Sequence, residues 1–493
     1  MWWRKVMWVS MSAVLVSTMG RAQQRRKKRM TRQEIVDVVL RETRPLAHPR
    51  GERLPLYIWG LRGAPSRDDV ETEELLKQLD ARGMALLAPW QIGKSQAASL
   101  EEALRLARLQ AKLGLSVGVD AIRPVYMFYN GDPSTAHVAA DGTPFFDLSF
   151  QEKKQIGCPF SVKHRYSAIR EQVAFFSHAY KQAGLPIDFV FSDWEVDGPM
   201  EWNDGWANAK RCARCRERLP SIDDFAAFQK AVREIRSEMQ RECYVRPILE
   251  HFPNALVGNY GVYPNDGWRY WYDWFEKCDP ALPCRMDQRE PERPWMQEFP
   301  ETGYTFAMPV MYTWYRTFDW YDFSDPDYHW FYNMLKVASN AAASTAPRTP
   351  IVSFVHHTLT RHPTEVEEPH VKPMSLAAYR ELLWHSLLRG HDTFFLWCPN
   401  DQIAHEIHPV HEVWAAALEF ADFLNDGEPV TCAVPRQDVS VVSGLRLGTR
   451  VLVRRTDFAG ASDGPVVLAV GNRTISIPKR PSQCQVLDLA KRV

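Results

Sequence analysis

Eight short apolar runs, each followed by a stretch of helical period, constrain this chain more than any other feature. The runs are Leu56–Gly60, Met84–Pro89, Ser116–Ala121, Ile187–Asp193, Ala255–Tyr260, Thr305–Met311, Ile351–Val355 and Thr393–Trp397. Each is too short for a helix and carries no polar alternation, as expected of a strand buried on both faces in a parallel sheet. Amphipathic segments lie between them, among them Val70–Arg82, Leu100–Leu113, Tyr166–Ala183, Phe225–Arg241, Tyr328–Ala343 and Leu376–Leu388. Eight such units predict an α/β fold, a (β/α)8 TIM-type barrel over residues 53–427. A doubly wound sheet is the competitor, but no glycine-rich phosphate loop follows the first strand. The 493 residues accommodate a barrel of ~250 residues or more with insertions and one accessory module.

After Asn425-Asp426-Gly427 the helical period stops. Short alternating runs at Val439–Val442, Arg450–Arg454, Pro465–Val470 and Thr474–Ile477 predict a small C-terminal antiparallel β-sandwich over 428–493. At the other end, Arg4 and Lys5 precede an apolar run from Val6 to Met19, and Gly20-Arg21-Ala22 follows at cleavage spacing. Residues 1–22 therefore read as a signal peptide, and the protein as secreted or periplasmic. A basic N-terminal segment, 23–52, follows and opens with Arg25-Arg26-Lys27-Lys28-Arg29, a solvated or membrane-tethering tail. No later run has the length of an integral membrane span. With 60 basic and 60 acidic residues, the chain lacks the basic surface of a nucleic-acid binder. Oligomeric state is not written in these features.

Nine cysteines are odd in number and sparse for this length. Cys212-Ala-Arg-Cys215 is a lone CxxC. A zinc site there needs two further ligands, from Cys158, Cys243, Cys278 or Cys284, and no second CxxC exists. A disulfide or free thiols is the favoured reading, structural in either case. No metal and no cofactor is expected.

Catalytic residues of a barrel sit at the C-terminal ends of its strands, and the fourth exit is the informative one. It reads Phe189-Val190-Phe191-Ser192-Asp193-Trp194-Glu195-Val196-Asp197. Side chains alternate along a strand, so Asp193 and Glu195 share one side. Two carboxyls that close do not both ionise readily, and one is raised into the general-acid range. The seventh exit, Phe354-Val355-His356-His357-Thr358-Leu359, has no carboxylate until Glu365. An acid pair without an opposing protein nucleophile points to substrate-assisted glycoside hydrolysis, in which a sugar's N-acetyl carbonyl attacks its own anomeric carbon. Such chemistry needs a hydroxyl donor for the acetamide oxygen and an aromatic floor. The sixth exit supplies Tyr312 and Trp314, the eighth Trp397, the first Trp59, and the fifth Tyr260, Tyr263 and Asp266. The 18 tryptophans fit a polysaccharide partner, because indole faces stack on the C–H faces of sugar rings. Trp202 and Asp197 complete the candidate substrate-binding set.

Asp193-Trp194-Glu195, followed by Glu201-Trp202 and Trp206-Ala-Asn208, resembles the Asp-Trp-Glu signature of glycoside hydrolase family 56, the hyaluronidases. Gly258-Asn-Tyr260-Gly-Val-Tyr263-Pro264 is similar to that family's Gly-Tyr-Tyr-x-Phe-Pro stretch. Met311-Tyr312 and Trp397 also resemble the strand-six Tyr and strand-eight Trp shared with family 18 chitinases. The resemblance implies Glu195 as general acid/base, Asp193 as the carboxylate that positions the acetamide, Tyr312 as its clamp and Trp397 as its floor. The implied activity is endo-cleavage at N-acetylhexosamine in a glycosaminoglycan-type polymer. Two alternatives stand beside it: a conventional two-carboxylate glycosidase pairing Glu195 with Asp266 or Asp401, and a non-catalytic carbohydrate-binding barrel.

Overall fold

The computed structural model describes residues 30–148, 155–194, 197–199, 204–260, 295–360 and 368–490. The signal-peptide and basic-run readings, Glu195, Trp202, Tyr263, Asp266, Cys278, Cys284 and Glu365 lie outside them.

The apolar runs form strands β1 (Tyr57–Ile58), β2 (Leu87–Pro89) and β3 (Gly118–Asp120). A hairpin of β4 (His137–Val138) and β5 (Pro144–Phe145) then intervenes. The series resumes with β6 (Phe189–Ser192), β7 (Leu256–Asn259), β8 (Val310–Trp314), β9 (Val352–Thr360) and β10 (Thr393–Leu396). All pairings within the eight are parallel, in two sheets ordered β2-β3-β6-β7 and β1-β10-β9-β8. Parallel bridges Leu56–Met84 and Arg62–Leu87 run between the β1 and β2 segments. On the opposite side Thr305 N–H donates to Val257 O at 3.0 Å. The architecture is thus mixed α/β built on two parallel sheets. Their inner faces meet in one aromatic core: Tyr57 stacks on Phe189 at 4.0 Å, Phe191 meets Phe395 at 4.5 Å, and Tyr260 stacks on Phe354 at 4.4 Å.

The sixth run sits differently from its expectation, with ladder pairing beginning at Val310 rather than Thr305. Thr305 is spent on a cross-strand clasp, its hydroxyl donating to Ala255 O while accepting from Val257 N–H. Several helices begin where a short polar side chain caps them. Asp68 accepts from Glu71 N–H, Asp325 from Asp327 N–H and Ser375 from Ala378 N–H, opening Asp69–Asp80, Pro326–Ser344 and Leu376–Leu387. Each cap satisfies one of the donors that a first helical turn leaves unpaired. A helix not anticipated from sequence, Arg32–Glu42, opens on a Thr31/Glu34 capping box and buries Ile35, Val36 and Val39 in the main core.

The C-terminal segment is all-antiparallel: β11 (Glu428–Pro429), β12 (Val441–Leu447), β13 (Arg450–Thr456), β14 (Val466–Val470), β15 (Arg473–Ile477) and β16 (Cys484–Asp488). One sheet runs β11-β12-β13-β16 and β14-β15 forms a separate hairpin, sharing a core of Val442, Val451, Val453, Val470, Ile475 and Ile477. Its contact with the helical layer is polar as well as apolar. Arg454 grips Glu381 with two bonds of 2.7 Å, and His385 Nδ1 lies 2.7 Å from Ser443 Oγ.

Candidate functional site

The site grows from the C-terminal ends of the parallel strands. β6 ends at Ser192, and the backbone of the next two residues is held from two sides. Asn259, the last residue of β7, accepts from Trp194 N–H at 3.2 Å and donates to Trp194 O at 3.1 Å. The Tyr126 hydroxyl donates to Asp193 O at 2.7 Å. Asp193 therefore leaves its strand in one fixed direction. Its Oδ1 is sealed from solvent and has no hydrogen-bond partner, while the Tyr260 hydroxyl bonds to the carboxyl. Burial pushes the Asp193 carboxyl up to about 6; the nearby Asp120 charge adds to this, and Tyr260, Arg62 and Arg123 oppose it. Desolvation is the main cause of this shift.

Tyr260 carries the connection to the second sheet. Its ring lies flat on Phe354 of β9, and Phe354 is the hub of the remaining aromatics. Tyr312, Trp397 and Trp59 approach it with ring centroids at 6.3, 6.4 and 6.3 Å. Tyr312 and Trp397 stack on each other at 5.6 Å and 28°. Trp59, Tyr312 and Trp397 are partly exposed while Phe354 beneath them is buried. The fold thus gathers Tyr260, Tyr312, Trp397 and Trp59 around one ring, from exits far apart in the chain, with Asp193 joined to it through the Tyr260 hydroxyl. Trp314 closes β8. Asp401 lies exposed in the turn Asn400–Gln402 beyond β10.

Asp197 corrects the expectation that it faces substrate. It is buried with φ at 75°, and its oxygens accept from Phe128 N–H at 2.6 Å and Tyr129 N–H at 2.7 Å. A carboxylate spent on two backbone donors is a clasp between the loops after β3 and β6. Trp194 packs behind it against Phe128 at 5.5 Å, with the Arg236 guanidinium 5.8 Å from its ring.

Three groups escaped the sequence reading. Asp120, buried at the end of β3, accepts from Arg62 at 2.8 Å, and Arg62 lies 4.7 Å over the Trp59 ring. Its position as the last residue of a strand was the available signal. His356, on β9, stands edge-on to Trp397 at 4.8 Å, with Nδ1 3.1 Å from Glu406 Oε1. Glu406 is fully buried, which raises its carboxyl, but His356, Thr358 and the backbone N–H of His357 outweigh burial and hold it at about 2. A carboxylate does stand behind the seventh exit. It arrives on the later helix Ile403–Ala417, where strand-by-strand reading does not look, and it is consumed in holding the strand end.

The CxxC cysteines are free thiols, one of the two readings favoured from sequence. Cys212 is the N-cap of the short helix Ala213–Arg218, Cys215 lies within it, and both are wholly buried. Cys158 joins them and Cys243 does not; the fourth neighbour is His137 of β4, which the sequence reading did not consider.

No protein-family model matches the chain, and no curated protein matches it. It is similar to solved glycoside hydrolases of several kinds. The α-L-fucosidase isoenzyme 2 from Paenibacillus thiaminolyticus has TM-score 0.44 and 9% identity, over 78% of this chain and 52% of that one. This chain spans about half the length of that structure. The maltogenic α-amylase from Thermotoga neapolitana has TM-score 0.41 and 11% identity, over 89% and 97%. The GH27 β-L-arabinopyranosidase from Geobacillus stearothermophilus has TM-score 0.40 and 12% identity, over 85% and 86%. None of the three is a hyaluronidase, and at these scores the likeness assigns no activity.

Proposed function

We propose that the two sheets close into a (β/α)8 barrel and that the chain is an exported glycoside hydrolase. It cuts a polysaccharide at N-acetylhexosamine units by the substrate-assisted route. The observation that carries this reading is the desolvated Asp193 carboxyl, raised to about 6 and tied through Tyr260 to the partly exposed Tyr312–Trp397 pair. Export rests on the apolar run Val6–Met19 alone.

In this reading Glu195, two residues beyond Asp193, gives its proton to the glycosidic oxygen as that C–O bond breaks. The acetamide carbonyl oxygen forms the new bond to the anomeric carbon, giving an oxazolinium ion. Asp193, ionised, accepts the acetamide N–H and balances the positive charge. The Tyr312 hydroxyl donates to the acetamide oxygen, and Trp397 lies beneath the methyl group. Water then opens the ring, losing a proton to Glu195, and the starting configuration is regained. Phe354 gives Tyr312 and Trp397 a rigid backing, so the polar groups need little reorganisation when charge develops.

The test is release of new reducing ends from hyaluronan, chondroitin and chitin-type polymers, each in N-acetylated and de-N-acetylated form. Cleavage confined to N-acetylated polymer, lost in Asp193→Asn, is expected. Cleavage of both forms refutes the acetamide nucleophile, and turnover of no glycan refutes the hydrolase reading.

A further inference from the structure

We propose that His137, Cys158, Cys212 and Cys215 bind one zinc ion, which pins together the two long loops that wall the candidate site. The four ligand atoms all lie within 4.8 Å of one another, and all four residues are buried. Cys158 Sγ is 3.5 Å from Cys215 Sγ, and Cys215 Sγ is 3.9 Å from His137 Nδ1. A tetrahedral ion with Zn–S of ~2.3 Å and Zn–N of ~2.0–2.1 Å places its ligands about 3.8 Å apart for sulfur pairs and about 3.5 Å apart for sulfur and nitrogen. The observed sulfur pair is slightly shorter, and the sulfur–nitrogen pair slightly longer, than those values. They also lie far outside the ~2.05 Å of a disulfide. Three soft sulfurs and one imidazole nitrogen in a closed, buried tetrahedron are the donor set of structural zinc.

The surroundings suit thiolates held around a cation. Val138 N–H donates to Cys212 Sγ at 3.4 Å, and the His137 ring is fixed by stacking on Phe145 at 5.1 Å and 17°. Arg214, between the two CxxC cysteines, donates to Ser134 O, Ala136 O and Ser161 Oγ. The ligand-bearing segments are thereby held in register from outside. Gly157 allows the same closeness before Cys158, since a β-carbon there would fall 1.9 Å from Thr135 O.

The local packing also calls for an ion. The cysteines belong to a satellite core, separate from the main one, that holds nine buried residues among those described: the three cysteines with Trp206, Ala209, Ile222, Phe225, Phe228 and Val232. A core that small is marginal without a staple. It is built from the segment between β3 and the helix Tyr166–Gln182, from the segment between β6 and the helix Phe225–Gln240, and from that helix itself. Those segments leave the neighbouring strands β3, which ends in Asp120, and β6, which ends one residue before Asp193. The ion is then a second tie between the loops that Asp197 clasps nearer the site. It is structural, because its four protein ligands leave no open position.

The experiment is metal analysis of the full-length protein, purified without chelator and also refolded under reducing conditions with equimolar zinc. One zinc per chain is expected. Cobalt(II) substitution should give the intense visible bands of a tetrahedral thiolate site. Cys215→Ser and His137→Ala should lose zinc or bind it far more weakly, while Cys432→Ser, outside the cluster, keeps full stoichiometry. Cobalt spectra of the unmutated protein decide the matter even where a variant does not fold. Folded protein with no zinc under both preparations, octahedral cobalt spectra, or a disulfide among Cys158, Cys212 and Cys215 in non-reduced peptide maps would each overturn the proposal. None of these readouts uses glycosidase activity, so the inference stands or falls apart from the proposed function.

Discussion

Replacing Asp193 by Asn should make the protein more stable at neutral pH while removing its activity. Burial raises this carboxyl from 3.8 to about 6, so the folded state holds its proton more tightly than the unfolded chain does. A raised carboxyl contributes stability that is fully present below the unfolded value and lost as pH rises through the folded one. At pH 7 and above the native protein therefore carries a charged, desolvated group. A rise from 3.8 to about 6, at about 1.36 kcal/mol for each pH unit, puts its cost at ~3 kcal/mol. Asparagine keeps the shape and an oxygen for the Tyr260 hydroxyl, but carries no charge. The Asp193→Asn variant should exceed the native protein in stability by close to ~3 kcal/mol at pH 8, about half that at pH 5 and nearly nothing below pH 4. Urea or thermal unfolding of both proteins across this range reads the difference directly. A stability difference that does not change with pH, or one that favours the native Asp193 more as pH rises, refutes the argument. The destabilising carboxyl would then not be desolvated where the fold places it.

The same shift sets an acidic limb: activity should fall as pH drops through about 6, because protonated Asp193 cannot balance the oxazolinium charge, and a native pH–rate profile that stays flat through that range refutes it. Glu195→Gln should lower kcat by roughly 10²–10⁴-fold with substrate binding intact, and a variant retaining a tenth of native turnover removes Glu195 from the mechanism. Tyr312→Phe should weaken binding of a thiazoline analogue of the intermediate by about 1–3 kcal/mol, measured by calorimetry against the parent sugar; equal loss for both ligands argues against a contact made with the intermediate. Glu381→Gln breaks the buried pair with Arg454 and should cost about 3–5 kcal/mol, seen as a lower Tm and earlier proteolytic release of the segment after 428, while unchanged unfolding shows that the pair does not hold the module.

Much of this molecule follows from local pattern. Apolar runs placed β1, β2, β3, β6, β7 and β10, and the start of β9, to within a few residues, because a strand buried on both faces needs an unbroken apolar stretch and little else. Helix starts at Asp68, Asp325 and Ser375 follow from capping side chains that act within three residues. Strand alternation singled out Asp193, and reading the strand exits one by one picked out Tyr260, Tyr312, Trp397 and Trp59. What tertiary structure alone decided is how distant segments use one another. The raised state of Asp193 depends on burial and on Asp120, a residue of another strand. Asp197 looks like a third site acid until the loop after β3 brings two backbone donors to it. Glu406 comes to His356 from a helix 50 residues later, and His137 comes to the CxxC pair from 75 residues earlier. Local sequence reports what a residue can donate, accept or bury within a turn or a strand. Its electrostatic state and its ligands are set by whichever groups chain closure brings within a few ångströms, and no short-range pattern encodes them.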